Sequence, residues 1–344
     1  MSDKINVGLI GAGRIGRLHA EHLAFRISGA NLLVVSDVIM EAAQKCAAEL
    51  GVPTATRDHR AIMENPDIEA VIICSSTDTH SLMIEQAAAA GKHIFCEKPI
   101  DHDLARIDRA LAAVEEATDR SGRGIKLQIG FNRRFDPNFW RVRELVASGE
   151  IGEPHILRIT SRDPAPPPIE YIKVSGGIFL DMTIHDFDMA RYLIGSEVEE
   201  IYVAAGVMVD PAIGEAGDVD TAVITLRFEN GVIGTIDNSR QAVYGYDQRV
   251  EVFGSGGMVA VSNKTPDLAV VSDDKSVHGP LPLHFFIERY TDSYVAEMRA
   301  FIECIQRDET PPVTGIDGRI PVVMGYAAAK SYAENRPVRL SEIA

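Results

Sequence analysis

The feature that most constrains this fold is a group of three glycines between a strand and a helix. The segment INVGLI, typical of a strand, runs into GAGRIG, and helix-forming sequence follows from Arg14 to about Ser28. Gly11 allows a tight turn, Gly13 lets the backbone approach a pyrophosphate, and Gly16 lets the helix pack closely on the strand. The N–H groups of the helix N-terminus would then face the phosphates. The pattern predicts a dinucleotide-binding turn, and a strand–helix turn that merely needs glycine is the alternative.

A carboxylate at the end of the second predicted strand, NLLVVSD, indicates which dinucleotide to expect. Asp37 follows Gly16 by about 20 residues, where an acidic side chain accepts hydrogen bonds from the adenosine ribose hydroxyls. Its charge would repel a 2′-phosphate, and the next residue is Val38 rather than an arginine. Asp37 therefore favours NAD over NADP, and a role as a helix N-cap would not exclude this.

The remaining cofactor contacts follow from the strand order. In an open α/β sheet the ligand lies beyond the carboxyl ends of the strands. The loops there are CSSTDTH after the fourth predicted strand and EKP after the fifth. The expected cofactor-binding residues are Gly11, Gly13, Arg14, Ile15, Gly16, Asp37, Ser75, Ser76, Thr77, His80, Glu97 and Lys98.

The pattern of apolar residues divides the chain in two. Up to about residue 125, short apolar strands alternate with helices, which predicts βαβ units and a doubly wound parallel sheet. Long strands then dominate, and TAVITLRF alternates in polarity before a hairpin turn at Asn230-Gly231. We expect an α/β protein with an NAD-binding Rossmann domain at 1–125. Residues 126–344 would form an α+β domain for substrate binding and oligomerisation, with a large, mostly antiparallel open sheet. A subunit interface would cover the open face, and we expect a homotetramer.

The composition limits the kinds of molecule that this chain is expected to bind. The net charge of −16 would repel phosphate backbones and anionic membranes, so we expect neither a nucleic-acid nor a membrane partner. No apolar run approaches the roughly 20 residues that span a bilayer, and the N-terminus lacks a secretory signal pattern. The four cysteines fit neither a disulfide framework nor a zinc site, which favours a reducing, cytoplasmic location.

Two segments carry candidate catalytic side chains. Lys98, in EKP at a strand end, would place a cationic amine where it stabilises a developing alkoxide; a surface lysine in a turn is the alternative. In LDMTIHDFDMARYL, Asp181 and His185 are four residues apart and would project from one helix face, with Asp188 on a neighbouring face. A histidine beside a carboxylate suits general-base chemistry, and a capping aspartate with an incidental histidine is the alternative. No metal is expected, because H-E-x-x-H is absent and position 189 is Met.

Together and in this order, these segments resemble the glucose–fructose oxidoreductase, inositol dehydrogenase and rhizopine-catabolism family of NAD(P)-dependent dehydrogenases. The likeness covers nearly the whole chain: GAGRIGRLHA, the S-T-x-T-H loop, EKP, GFNRRFDPNF and GGIFLDMTIHDFDMARYL. It implies that Lys98, Asp181 and His185 form the catalytic group. It also implies that the Lys98–Pro99 peptide bond is cis.

Within that family, SRDPAPPP and VYGYDQRVEVFG resemble the inositol dehydrogenases. The resemblance implies oxidation of myo-inositol to 2-keto-myo-inositol (scyllo-inosose), with NAD as hydride acceptor and a cleft between the domains as the site. His185 would take the hydroxyl proton, Lys98 would stabilise the alkoxide, and Asp181 would orient His185. The other implied substrate contacts are Asn132, Arg133, Arg162, Asp163, Asp188, and Tyr244 or Tyr246.

Three other functions stay open from the sequence. One is a dehydrogenase or reductase of another polyol or sugar, such as scyllo- or chiro-inositol, glucose or an anhydrohexulose. The second is an NAD-binding regulatory protein without turnover, which would not need to retain a base and an amine. The third is NAD-assisted glycoside cleavage, for which the sequence holds nothing specific.

Overall fold

The computed structural model describes residues 4–121 and 124–343. The chain forms two compact units, of which the first comprises Met1–Asn132 and Asp292–Ile320 and the second Arg133–Thr291 and Pro321–Ala344. The first unit therefore extends beyond the boundary predicted at residue 125. A sixth strand joins its sheet just after that point, and a later stretch of the chain returns to it.

The first unit is built on six parallel strands in the order β3-β2-β1-β4-β5-β6. The strands are β1 (Ile5–Ile10), β2 (Ala30–Ser36), β3 (Thr54–Thr56), β4 (Ala70–Ile73), β5 (His93–Glu97) and β6 (Leu127–Gly130). The helices between them are α1 (Arg14–Phe25), α2 (Met40–Leu50), α3 (Arg60–Met63), α4 (Thr77–Ala89) and α5 (Leu104–Ser121). The strand order reverses between β1 and β4, as in a doubly wound Rossmann sheet, and the predicted fold is confirmed.

Near-continuous apolar strands explain why this sheet is covered on both faces. All four residues of β4 are buried, as are the first four of β5. Leu9, Ile72 and Phe95 come from three neighbouring strands and share one core, which Met298 and Phe301 of the returning chain complete. Strands buried on both faces are typical of parallel sheets, and their carboxyl ends are where ligands bind.

The second unit holds a seven-stranded sheet in the order β12-β11-β7-β10-β9-β8-β15. The strands are β7 (Pro154–Arg162), β8 (Val198–Gly206), β9 (Thr221–Phe228), β10 (Ile233–Ser239), β11 (Asp247–Gly254), β12 (Gly257–Val261) and β15 (Val338–Arg339), and β13 (Val271–Ser272) and β14 (Val277–His278) form a separate hairpin. Every pair in the large sheet is antiparallel except β7 with β10. The mostly antiparallel sheet is confirmed, with this one parallel pair as an addition.

Alternating side chains give the large sheet a covered face and an open face. In β9, every second residue from Ala222 to Phe228 is buried. Two helices pack on this face: α6 (Pro137–Ala147) on β11 and β12, and α9 (Thr183–Ile194) on β7 and β10. On the other face four exposed apolar side chains lie in register across four strands, namely Ile233, Ile156, Phe253 and Met258.

Several helices differ from prediction. The helix predicted from about Phe179 to Leu193 is two helices, α8 (Gly177–Asp181) and α9, broken at Met182. The Pro-rich loop contains a one-turn helix, α7 (Ile169–Ile172), because Pro168 favours a helix start at the next residue. The others are α10 (Pro211–Glu215), α11 (Phe286–Arg307) and α12 (Gly315–Glu334). Within the described ranges, no helix combines the length and apolar character needed to cross a bilayer.

Candidate active site

The glycine-rich turn has the geometry that its sequence predicts. Gly11 has a φ of +94°, and a Cβ there would lie 2.5 Å from the carbonyl group of Cys74. A Cβ on Gly16 would lie 1.8 Å from the carbonyl oxygen of Gly11. Both positions therefore require glycine for packing reasons alone. By contrast, a Cβ on Gly13 would meet nothing within 4 Å, so the backbone before α1 faces open space.

That open space fits a dinucleotide phosphate. Gly13 is the N-cap of α1, and no side chain caps the helix there. The first-turn N–H groups of a helix need partners from outside it, and an anion supplies them. Arg14 and Ile15, the first two residues of α1, lie at this end. The turn has both the donors and the room that a pyrophosphate requires.

Asp37 is fixed beside this turn by backbone donors. Its Oδ2 accepts a hydrogen bond from the N–H of Ala12 at 2.7 Å, and its Oδ1 accepts one from Ile39 at 2.8 Å. Each carboxylate oxygen has a second lone pair for a ribose hydroxyl. Asp37 is not the N-cap residue of α2, which is Ile39. The contacts fit the predicted ribose-binding residue.

The loop after β4 is tied to the loop after β5 by His80. The buried imidazole places Nδ1 2.8 Å from the carbonyl oxygen of Pro99 and Nε2 3.0 Å from that of Ser75. Both ring nitrogens are therefore engaged by the backbone, and His80 acts as a brace rather than as an open cofactor contact. Ser76 is the N-cap of α4 and Thr77 its first residue. The Lys98–Pro99 peptide bond is cis, as the resemblance implied.

Glu97, another predicted cofactor contact, faces a buried partner. Its Oε1 lies 2.6 Å from Nε2 of His19, which is fully buried on α1. Glu297 of α11 completes a group whose ligand atoms lie within 4.8 Å of one another, close enough to share a metal ion. The sequence pattern did not predict this group, because its members are distant along the chain. Glu97 therefore joins elements within the first unit.

In the second unit, the covered face of the large sheet becomes polar at one edge. Because β7 and β10 are parallel, their carboxyl ends meet at that edge, and the antiparallel β11 begins there. The inward side chains are apolar along most of these strands and then change. The polar group consists of Ser161 and Asp163 at the end of β7, Asn238 and Arg240 at the end of β10, and Gln248 at the start of β11. We call this group the polar edge.

Asp181, a predicted catalytic residue, lies at the polar edge. Its Oδ1 accepts a hydrogen bond from the hydroxyl of Tyr171 at 2.9 Å, and its Oδ2 accepts one from Arg240 at 3.3 Å. Arg240 also donates to Asp218 at 3.4 Å. Burial, followed by the charge of Asp181, raises the pKa of Tyr171, so the hydroxyl keeps its proton and donates it.

His185 lies in the first turn of α9 and is partly exposed. The single helix predicted over Asp181 and His185 is divided at Met182, so the two residues lie on different helices, α8 and α9. That their side chains share one face stays a prediction. Asp186, which the sequence did not single out, is fully buried beside His185 in the chain. It accepts hydrogen bonds from Asn238 at 2.8 Å and from Arg133 at 2.6 Å. These bonds fix the start of α9 against the sheet.

Asp163 lies partly exposed in the same group of charges. Burial raises the pKa of its carboxyl to about 6; Arg240 lowers it and Asp181 raises it. Its backbone continues the β7–β10 pairing, with its N–H donating to the carbonyl of Ser239 at 2.9 Å. A carboxyl group with this pKa is mostly ionised at neutral pH and can accept hydrogen bonds from hydroxyl groups.

Five of the implied substrate contacts are already engaged within the protein. Arg133 is buried and donates to Asp186 and to the hydroxyl of Tyr246. Asp188 is buried against Arg134, which donates to both of its oxygens. Arg162 projects from the open face of the sheet, where it bonds Asp237 and the hydroxyl of Tyr244, and Tyr244 in turn donates to Asp247. In these contacts each side chain bonds a neighbouring side chain and so supports the structure around the polar edge.

Asn132 differs from these supporting residues in its hydrogen bonding. It is buried, and among the described residues its Nδ2 has no hydrogen-bond partner. A buried amide donor without a partner costs free energy unless a ligand or water accepts from it. Asn132 therefore fits the role that the resemblance gave it.

The sequence analysis missed Arg240, Tyr171, Asp218 and Asn238. A signal was present for two of them. In β10 the inward positions run Gly234, Ile236, Asn238 and then Arg240, so two polar residues fall on a face that should be apolar. Tyr171 lies on the one-turn helix α7 and Asp218 in the segment before β9, and no periodicity predicts the contacts of either.

Comparisons with known proteins agree with this architecture. Residues 5–123 match the oxidoreductase family with an NAD-binding Rossmann fold, and residues 139–260 match the GFO/IDH/MocA C-terminal domain. The chain is 51% identical to the myo-inositol 2-dehydrogenase of Thermotoga maritima, over 98% of this chain and 99% of that protein. It is 45% identical to the inositol 2-dehydrogenase of Rhizobium meliloti, over 98% and 99%.

A solved structure gives the same result. The scyllo-inositol dehydrogenase of Lactobacillus casei, solved with NAD(H) and scyllo-inositol, is similar to this chain with a TM-score of 0.91. The two are 29% identical, and the match covers 98% of this chain and 100% of the other. The chain therefore belongs to the GFO/IDH/MocA family of oxidoreductases, whose N-terminal domain is an NAD-binding Rossmann fold.

Proposed function

We propose that this protein is an NAD-dependent inositol 2-dehydrogenase that oxidises myo-inositol to 2-keto-myo-inositol (scyllo-inosose). The observation that carries the proposal is the polar edge around Asp181, in a chain that aligns over nearly its whole length with relatives named for this reaction. Each hydroxyl of a polyol both donates and accepts a hydrogen bond, so a mixture of carboxylates, amides and basic groups matches it.

Three residues would carry the chemistry. His185 takes the proton of the reacting hydroxyl, since a partly exposed imidazole can act as a base near neutral pH. Lys98 stabilises the oxygen as negative charge develops on it. Asp181 orients the imidazole and balances its positive charge. NAD, when bound, accepts the hydride from the carbon that carries the hydroxyl.

The other hydroxyls need hydrogen-bond partners that remain available. We assign these contacts to Asp163, whose carboxyl group is partly exposed, and to the amide of Asn132. Arg133, Asp188, Arg162, Tyr244 and Tyr246 are assigned to support, because their polar atoms bond neighbouring side chains. The cofactor contacts are the glycine-rich turn, Asp37 and the loops after β4 and β5.

The same proposal covers organisation and assembly. We assign cofactor binding to the N-terminal Rossmann domain, and substrate binding and oligomerisation to the C-terminal domain. The in-register row Ile233, Ile156, Phe253 and Met258 supports a homotetramer that buries the open face of the large sheet. A cytoplasmic location stays a prediction, which cell fractionation tests.

A panel of polyols tests the function. The purified protein is assayed with myo-, scyllo- and chiro-inositol and glucose, each with NAD and with NADP, by the absorbance of the reduced cofactor. We expect the highest kcat/KM with myo-inositol and NAD. A preference for scyllo-inositol, the ligand of the L. casei structure, would show that the proposed substrate is wrong while the type of reaction is right. Tight NAD binding without oxidation of any polyol would reject the enzyme in favour of a sensor.

Lys98→Met tests the catalytic assignment. Removing a group that stabilises a developing oxyanion costs roughly 10²- to 10³-fold in kcat, while the affinity for NAD should stay within a few fold. Lys45→Met is the matched control, because Lys45 is an exposed lysine of α2 in the same unit. Near-normal turnover of Lys98→Met would reject this role for Lys98.

A further inference from the structure

Arg240 is a fully buried charge in the second unit. It follows β10 directly, on the covered face, and only 1% of its surface is exposed. Taking a guanidinium out of water costs several kcal/mol unless carboxylates and hydrogen bonds compensate for it. The compensation here involves Asp181, which the proposed function uses in catalysis.

The guanidinium closes a ring of contacts around the short helix α8. One nitrogen donates to Asp181, the last residue of α8, at 3.3 Å, and another donates to Asp218 at 3.4 Å. Asp218 accepts a hydrogen bond from the N–H of Ile178, in the first turn of α8, at 3.0 Å. Arg240 and Asp218 therefore brace both ends of the helix that presents Asp181.

The brace leaves Asp181 little freedom. Arg240 holds its Oδ2, and the hydroxyl of Tyr171 on α7 holds its Oδ1. Hydrogen bonds to both oxygens of a carboxylate fix its plane as well as its position.

The surrounding charges make Arg240 the local counter-ion. Three carboxyl groups face it: Asp163 from the end of β7, Asp181 from α8, and Asp218 from the segment before β9. Asp186 of α9 and Arg133 also act on Asp163, but they pair with each other. The charge of Arg240 lowers the pKa of Asp163, so without the guanidinium this carboxyl group would bind a proton more readily.

We propose that Arg240 is a positioning residue for the dehydrogenase reaction: braced by Asp218, it holds Asp181 in one orientation, so that Asp181 can orient His185, and it supplies the positive charge that the neighbouring carboxyl groups share. This inference rests on the proposed function. It makes two separate claims, one about charge and one about geometry, and a pair of variants separates them.

Arg240→Met removes the charge and the hydrogen bonds. We expect kcat with myo-inositol to fall roughly 10- to 150-fold, the range that corresponds to one charge-assisted hydrogen bond. The acid limb of the pH profile of kcat/KM should move to higher pH, because the variant loses the charge that lowers the pKa of Asp163, a proposed substrate contact. Arg240→Lys keeps the charge but replaces the two guanidinium nitrogens that reach Asp181 and Asp218 by one ammonium nitrogen, so kcat should fall while the acid limb stays in place.

Arg191→Met is the matched control. Arg191 is a buried arginine of the same unit and pairs with Glu197, apart from the polar edge. Its loss should lower stability without moving the pH profile. If Arg240→Met and Arg240→Lys both keep the kcat and acid limb of the wild type, the proposal is overturned. If Arg240→Met does not fold, wild-type kcat in Arg240→Lys overturns it.

A measurement without turnover separates this proposal from the proposed function. The carboxyl carbons of ¹³C-labelled aspartate are titrated by NMR in the wild type and in Arg240→Met. We expect the carboxyl group of Asp163 to titrate at higher pH in the variant, because Arg240 lowers its pKa in the wild type. If the wild type oxidises no polyol, the proposed function fails, while this titration still decides whether Arg240 controls the charge of the site. Identical titration curves would reject that control.

Discussion

Replacing Gly13 by alanine should weaken NAD binding without destabilising the first unit. Gly13 has a φ of −68° and a ψ of −167°, an extended conformation open to any residue. A Cβ there would contact no atom within 4 Å. Alanine at a compatible position also restricts the unfolded chain, which stabilises a protein by about 0.4–1 kcal/mol. The variant should therefore unfold at the same denaturant concentration as the wild type, or a higher one.

The loss of affinity comes from the space that the methyl group takes. If the pyrophosphate binds over this turn, the new Cβ keeps it from the N–H groups at the start of α1. A hydrogen bond to a charged group contributes about 1.5–3 kcal/mol. Losing one such bond raises the Kd for NAD roughly 10- to 150-fold.

Gly16→Ala is the matched contrast within the same motif. Its Cβ would lie 1.8 Å from the carbonyl oxygen of Gly11, so α1 would have to move. We expect a loss of stability above the roughly 1–3 kcal/mol that is typical of overpacking. Calorimetry gives the Kd for NAD, and urea denaturation gives the free energy of unfolding. If Gly13→Ala binds NAD with wild-type affinity, the phosphates do not bind over this turn. If Gly13→Ala is less stable than the wild type, the conclusion that a Cβ at this position meets no other atom is refuted.

Three further predictions concern the second unit. Asp163→Asn should stabilise the protein by an amount that grows from about pH 4 to pH 6 and is constant above pH 6. The reason is that folding raises the pKa of this carboxyl group from 3.8 to about 6 and so disfavours the carboxylate. Urea denaturation at several pH values measures the difference in stability, and a difference that does not depend on pH would contradict the prediction. Asp188→Asn should cost about 3–5 kcal/mol because it leaves the Arg134 side chain, which is only 10% exposed, without its carboxylate. Glu144→Gln, in an exposed pair, should cost under about 1 kcal/mol, and equal losses on denaturation would contradict this. Ile156→Lys places a charge in the apolar row of the open face and should reduce the molar mass measured by light scattering, and an unchanged mass would place the subunit interface elsewhere.

The fold of the first unit could be predicted because its determinants are local. Three glycines within six residues set a backbone shape that other residues cannot adopt at Gly11 and Gly16. Apolar strands alternate with helices at short spacing, and βαβ connections have one handedness, so little choice of topology remains. The boundary at residue 125 was less accurate, because the part of α11 that joins this unit lies far away in the sequence.

The polar edge could be predicted only in part because its partners are distant in sequence. The family resemblance identified Asp181 and His185, and the spacing of four suggested one helix face. The helix is divided at Met182 between them, and two partners of Asp181 come from α7 and from the end of β10. For the same reason, Asp188 looked available, although Arg134 occupies it. Spacing along a helix shows which side chains are neighbours, but it does not show which charges from elsewhere already pair with them.

The cofactor site and the polar edge differ in how strongly their charged side chains depend on one another, and this affects how cofactor and substrate preference could be changed. Asp37 acts through its own charge and is held by backbone donors, so replacing it need not disturb another side chain. Asp163, Asp181 and Asp218 instead share the single guanidinium of Arg240. Replacing one of them changes the charge that the others experience, and interacting residues are not additive. We therefore expect the preference for NAD to respond to a substitution at Asp37 alone, whereas a new polyol preference requires compensating changes among the residues that share Arg240.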